Sequence, residues 1–132
     1  IYFGGFLFEG GDESYSEICA ADFSNIRGDS FTSTENGVEH IGNNVFIDYD
    51  GFDFSNGVTS VTIKGRTRNA NDSVHMRIIG ENSEVKEILE FNKSEDYIEK
   101  TFTVHSFKGN ADIKFDFLPG CDFDFMSFKF NE

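Results

Sequence analysis

The sequence predicts an all-β domain, an antiparallel β-sandwich or jelly roll. Short segments with apolar residues at alternate positions recur along the chain, and Gly, Asn, Asp and Ser clusters interrupt them about every ten residues. No window sustains a helical period. The composition agrees: the 132 residues include 17 Phe, no Trp and one Pro, and Phe with β-branched residues favours pleated, half-buried surfaces. The length suits one domain with a two-layer core.

Residues 1–14 are aromatic, glycine-rich and then acidic, with no periodicity. They read as a linker or the tail of a preceding domain, which leaves 15–132 as the folding unit. Residues 16–23 (SEICAADF) predict a first strand, and 25–30 (NIRGDS) a turn. Residues 31–34 are β-prone and stop at Asn36-Gly37. The longest strand-spaced run is 39–54, EHIGNNVFIDYDGFDF, which predicts two strands meeting at a tight corner at Asp50-Gly51. Ser55-Asn56-Gly57 then turns the chain into 58–68, with Val61 and Ile63 on one face and Thr62 and Lys64 on the other.

After a polar turn at 69–72, Val74, Met76 and Ile78 alternate with His75, Arg77 and Ile79. Gly80–Ser83 turns again, and 85–91 is short enough to be a strand. Residues 97–105 follow a polar loop, and Phe102 and Val104 share a face. Ile113, Phe115 and Phe117 alternate strictly with charged neighbours, the pattern of a strand with one face on the core. Pro119-Gly120 predicts a type II turn closing a last hairpin. The final strand, 122–130, changes its inward parity between Phe125 and Phe128, which predicts a β-bulge. The total is about nine strands.

The formal charge of −13 argues against nucleic acid or an anionic membrane as partner, because phosphate binding needs clustered Lys and Arg. No segment approaches the ~20 apolar residues of a membrane span. No signal peptide is visible, and any export signal would lie upstream. Enzyme chemistry finds no support: none of the 24 Asp and Glu is singled out as a catalytic pair. His40, His75 and His105 carry no nucleophile signature, and Cys19 and Cys121 are too few for a zinc site. Sugar binding needs less, an aromatic face and a few polar groups on loops. Tyr97, just after the loop 92–96, is expected at the sandwich rim, as a sugar platform or as an edge aromatic with its hydroxyl in water.

Four stretches, ICAADF, EHIGNNVFIDYDGFDF, GVTSVTIKGRT and FDFMSFKF, resemble in order and separation the family 6 carbohydrate-binding modules and their galactose-binding-like relatives. The resemblance spans about 18–130. It implies a loop-edge site in which a sugar is clamped between His40 and Tyr97, with Asp122 and Glu39 as hydrogen-bonding partners. It implies a second site on the concave sheet at Val45-Phe46, unless Phe46 is core. The family's structural calcium would fall on Cys19, Ala21 and Met126, which are not calcium ligands, so no cofactor is expected. Placing Cys19 near Met126 puts Cys121 about 17 Å away, beyond disulfide reach, and predicts two free thiols.

The resemblance implies a non-catalytic module appended to a secreted glycoside hydrolase, with a family 43 arabinofuranosidase or xylosidase as the covalently linked upstream catalytic domain. The implied ligand is a plant cell-wall polysaccharide or oligosaccharide of the xylan or arabinoxylan type, and the implied location is extracellular. The alternative is a structural accessory sandwich that packs on the catalytic domain, with Tyr2, Phe3 and Phe6-Leu7-Phe8 as interface residues, and has lost sugar binding.

Overall fold

The structure, a computed structural model, describes residues 14–132. The expectations for the segment before Ser14 lie outside the described residues. Those residues form nine strands: β1 Ile18–Cys19, β2 Asn25–Arg27, β3 Thr32–Thr34, β4 Gly37–Ile41, β5 Val45–Thr67, β6 Asn71–Gly80, β7 Glu84–Asn92, β8 Ile98–Phe117 and β9 Phe123–Asn131. All pairings are antiparallel.

Two long strands make the sandwich. β5 and β8 pair along most of their lengths, with irregularities between Tyr49 and Phe52 and again between Phe54 and Ser60. Residues 58–67 and 98–107 join β9, β4 and β3 in one layer, and residues 45–54 and 109–117 join β2, β6 and β7 in the other. Both strands therefore bend from one layer into the other. The expected corner at Asp50-Gly51 and turn at Ser55–Gly57 are bulges inside β5, not strand ends. Turn chemistry and bulge chemistry use the same residues, here Gly51 at φ 85° and Gly57 at φ 84°.

Other expectations need correction. The first strand covers only Ile18–Cys19, and the supposed turn at 25–27 is β2, which pairs Asn25, Ile26 and Arg27 with Asp48, Ile47 and Phe46. The segments at 97–105 and 113–117 are one strand, β8. Leu118–Cys121 forms the expected turn, with the Cys121 N–H donating to the Leu118 carbonyl at 3.3 Å and Gly120 at φ 93°. It does not close a hairpin: β8 and β9 are not neighbours, since β9 lies between β4 and β5. Phe46 is half-buried on the outer face, its ring under the Arg27 guanidinium at 5.2 Å, and is not core.

The bulge in β9 is where the sequence put it. Lys64 pairs with Ser127 and Gly65 with Phe125, so Met126 is the extra residue and both Phe125 and Phe128 point inward. Phenylalanine fills the space between the layers. From β9, Phe123 meets Phe117 and Phe91, and Phe125 and Phe128 both meet Phe115 on the opposite layer, at centroid distances of 5.0–5.7 Å. Gly65 makes room for this, because a Cβ there would lie 2.5 Å from Phe123 Cζ.

Both ends of the described chain lie at one end of the sandwich. Ser14 Oγ accepts from the Asp53 N–H, Tyr15 donates to the Gly57 carbonyl, and Asn56 reaches the Glu132 carboxylate. The Pro119-Gly120 turn marks the other end.

Cys19 and Cys121 are both free. The Cys19–Ser127 pairing places them apart as the strand register predicts. Burial, reinforced by the Asp72 carboxylate, pushes the Cys121 thiol up to about 12. At pH 8 a thiol reagent is expected to modify Cys121 slowly in the native protein and both cysteines rapidly in denaturant. Fast native labelling of Cys121 would contradict this.

Candidate functional site

At the loop end of the first layer, the outer faces of β4, β5 and β9 meet the loop before β8. Strand alternation puts Arg66 and Arg68 on the same outer face of β5, and Asp122 and Asp124 on the matching face at the start of β9. Arg66 is directly cross-strand from Asp124. Asp124 is fully buried, yet its carboxylate is well supplied with donors. Its Oδ2 accepts from Arg66 Nε at 2.8 Å and Arg68 Nη2 at 2.8 Å, and its Oδ1 accepts from the His40 N–H at 2.9 Å and from Arg68 Nη1 at 3.3 Å. Burial alone would raise this carboxyl. The His40 N–H and the two guanidinium groups outweigh it and hold Asp124 below its usual range.

Of the four residues expected to form the site, His40 bonds this buried carboxylate directly, Tyr97 and Asp122 connect to it through Arg66 and Arg68, and Glu39 precedes His40 on β4. His40 is held through its backbone, at φ 53°, within the irregular pairing of β4 with β9. A positive φ is costly for a side chain with a Cβ, and the bond to Asp124 offsets it. The result turns the exposed His40 side chain outward. Tyr97 is half-buried, with the Arg66 guanidinium stacked on one face of its ring at 4.4 Å. The same Arg66 donates from Nη1 to the Glu95 carbonyl at 2.8 Å, which fixes the loop carrying Tyr97. Asp122 accepts from Arg68 Nη1 at 2.8 Å. Desolvation raises the Tyr97 hydroxyl pKa, and the charges of Asp124 and Glu39 add to this, which places Glu39 within electrostatic reach.

A layer of polar contacts locks the neighbouring turn. Thr67 donates to Asp72 at 2.5 Å, Asn69 donates to the Gly120 carbonyl at 2.7 Å, and the Asp122 N–H donates to Asp72 at 3.1 Å. Three residues of the cluster escaped the sequence reading: Arg66, Arg68 and Asp124. A signal was present. Arg-Thr-Arg at the end of one strand and Asp-Phe-Asp-Phe at the start of another each put two like charges on one face, and only opposite charges across the ladder make that tolerable.

At the calcium position suggested by the resemblance, β1 and β9 do run side by side, with Cys19 opposite Ser127 and the Ala20 N–H donating to the Met126 carbonyl at 2.8 Å. A thiol, a methyl group and a thioether do not fit an ion that takes six to eight oxygens. Among the described residues, no group of three or more His, Cys, Asp or Glu side chains is placed to hold a metal.

No known protein-family profile matches the chain, and no curated protein sequence does. Solved structures do match. A family 6 carbohydrate-binding module from Clostridium stercorarium, in complex with cellobiose, superposes with a TM-score of 0.74 at 22% identity, covering 90% of this chain and 95% of that one. A second, from Clostridium cellulolyticum with xylose, gives 0.72 at 22% identity over 90% and 98%. A family 43 arabinoxylan arabinofuranohydrolase from Bacillus subtilis, with cellotetraose, gives 0.64 at 16% identity, covering 90% of this chain but 27% of that one. The chain has the fold of the family 6 modules.

Proposed function

We propose that this domain is a non-catalytic carbohydrate-binding module whose loop-edge cluster holds a neutral sugar. The observation that carries the reading is the pinned aromatic platform. Tyr97 is stacked on Arg66, Arg66 is bonded to the buried Asp124, and the same carboxylate fixes His40. A platform ordered before the ligand arrives loses little entropy on binding. With Arg66 on one face of the ring, the sugar uses the other, and His40, Asp122 and Glu39 serve its hydroxyls and second side. The guanidinium charges are already matched by Asp124 and Asp122, so an anionic sugar gains nothing here.

The solved structures in complex with cellobiose and with xylose support this class of ligand. Within the reading, the target is xylan or arabinoxylan, the protein is secreted, and a linked glycoside hydrolase such as a family 43 enzyme benefits from raised local substrate concentration. No structural calcium is part of it: a chelator is expected to leave the melting temperature unchanged, and a drop of several degrees would contradict this.

The test is titration calorimetry or affinity-gel retardation against xylan, arabinoxylan and mixed-linkage glucan. Tyr97→Ala should weaken binding by roughly 5- to 30-fold, the equivalent of about 1–2 kcal/mol for one aromatic contact. Failure of the intact domain to bind any of the three would overturn the reading and favour a structural accessory role.

A further inference from the structure

A groove lies at the opposite end of the sandwich from Tyr97. β8 starts beside Tyr97 and reaches the groove about ten residues later, roughly 35 Å of extended chain. The groove encloses about 710 Å³, between the bulge of β5 at Gly51–Asp53, the β6–β7 turn and the middle of β8. That volume is in the range of small-ligand sites.

We propose that this groove is a second saccharide-binding site. Three features carry it. First, its floor is apolar: Phe52 and Phe107 are 8% and 7% exposed, enough to meet the C–H face of a sugar without a protruding ring. Second, its walls carry the exposed side chains of Asn82, Lys108 and Asn110. None of these makes a hydrogen bond to a described residue, in contrast to the mutually satisfied groups around Asp124. Two amides that both donate and accept suit vicinal hydroxyls, which do the same. Third, the backbone is open to close approach. Gly51 and Gly109, at φ 85° and 119°, have nothing within 4 Å of where a Cβ would stand.

The charge of the groove selects the ligand. Asp53, Glu81 and Asp112 line it with one cation, Lys108, so phosphates and uronic acids are disfavoured and a neutral oligosaccharide is favoured.

The experiment is amide chemical-shift titration of the whole domain with xylotriose, cellotriose and laminaritriose, beside Tyr97→Ala and an Asn82→Ala/Asn110→Ala double variant. At least one trisaccharide should shift Gly51, Gly109 and Asn110 saturably, and Tyr97→Ala should keep these shifts. The double variant should weaken them about ten-fold or more, with the Tyr97 region unaffected. Both asparagines are exposed, so folding should persist; Lys108→Ala provides a second variant expected to act in the same direction. Groove amides unmoved to about 10 mM, shifts that do not saturate, or groove shifts abolished by Tyr97→Ala would each overturn the proposal. Because the two sites are read from different amides, failure of one does not imply failure of the other.

Discussion

An Asp124→Ala variant is expected to be destabilised by about 2–4 kcal/mol and to lose the loop-edge site at the same time. Removing one partner of a buried ion cluster leaves uncompensated charge, at a typical cost of about 3–5 kcal/mol. The lower range applies because Arg66 and Arg68 are 29% and 41% exposed and can turn toward water. The His40 N–H would lose its acceptor, removing what offsets the positive φ there. Denaturant unfolding gives the stability, and glycan titration gives the site. A variant that keeps wild-type stability would show that the cluster holds only itself.

The same carboxylate sets an acid limit. Its folded pKa is depressed from an ordinary value of 3.8, so below that value the unfolded chain binds the proton more readily. The contribution is full above about pH 4, and it is lost as pH falls through the lower folded value. Asp124→Asn should remove this part of the acid dependence. An unchanged acid slope in that variant would contradict the assignment.

The second large effect is in the core. Phe128 packs against Tyr49, Phe115, Phe130, Phe125 and Phe52 at centroid distances from 4.7 to 6.2 Å. It thus ties β9 to both halves of the sandwich. Phe128→Ala should cost about 3–5 kcal/mol, a large share of the 5–15 kcal/mol typical of a domain. The melting temperature should fall by roughly 10–20 °C. The neighbours are rigid rings on paired strands, so little collapse into the cavity is expected. A loss below about 1.5 kcal/mol would mean that the layers close over the gap.

The fold was legible because side-chain alternation is a local signal. Val61 and Ile63, Val74, Met76 and Ile78, and Ile113, Phe115 and Phe117 all face inward as their spacing indicates. The β9 bulge was legible for the same reason, since Phe125 and Phe128 cannot share a face of a regular strand. Strand continuity was not. Asp50-Gly51 and Ser55–Gly57 look like turns in sequence, and only the paired register across β8 reveals that one strand continues through both as it bends. Strand order was equally hidden: a Pro-Gly turn states its own geometry but not which strands lie beside it.

The site divides in a similar way. His40, Tyr97 and Asp122 come from three places in the resemblance, with Glu39 beside His40, and the structure connects these three through one carboxylate. What the sequence reading lacked was that carboxylate. Asp124 sits between two core phenylalanines and resembles any solvent-facing acid of an amphipathic strand. Its burial depends on Arg66 and Arg68, on a strand that sequence alone does not place beside it.

The position of Glu132 affects the two ends of the sandwich unequally. A protein or surface attached at Glu132 would stand beside Asn56, at the end that carries the groove, and far from Tyr97. Fusion or immobilisation should therefore leave the Tyr97 edge facing outward, available to an extended polymer, while it narrows access to the groove. A short fusion partner becomes a means of telling the two apart, because crowding falls on one of them alone.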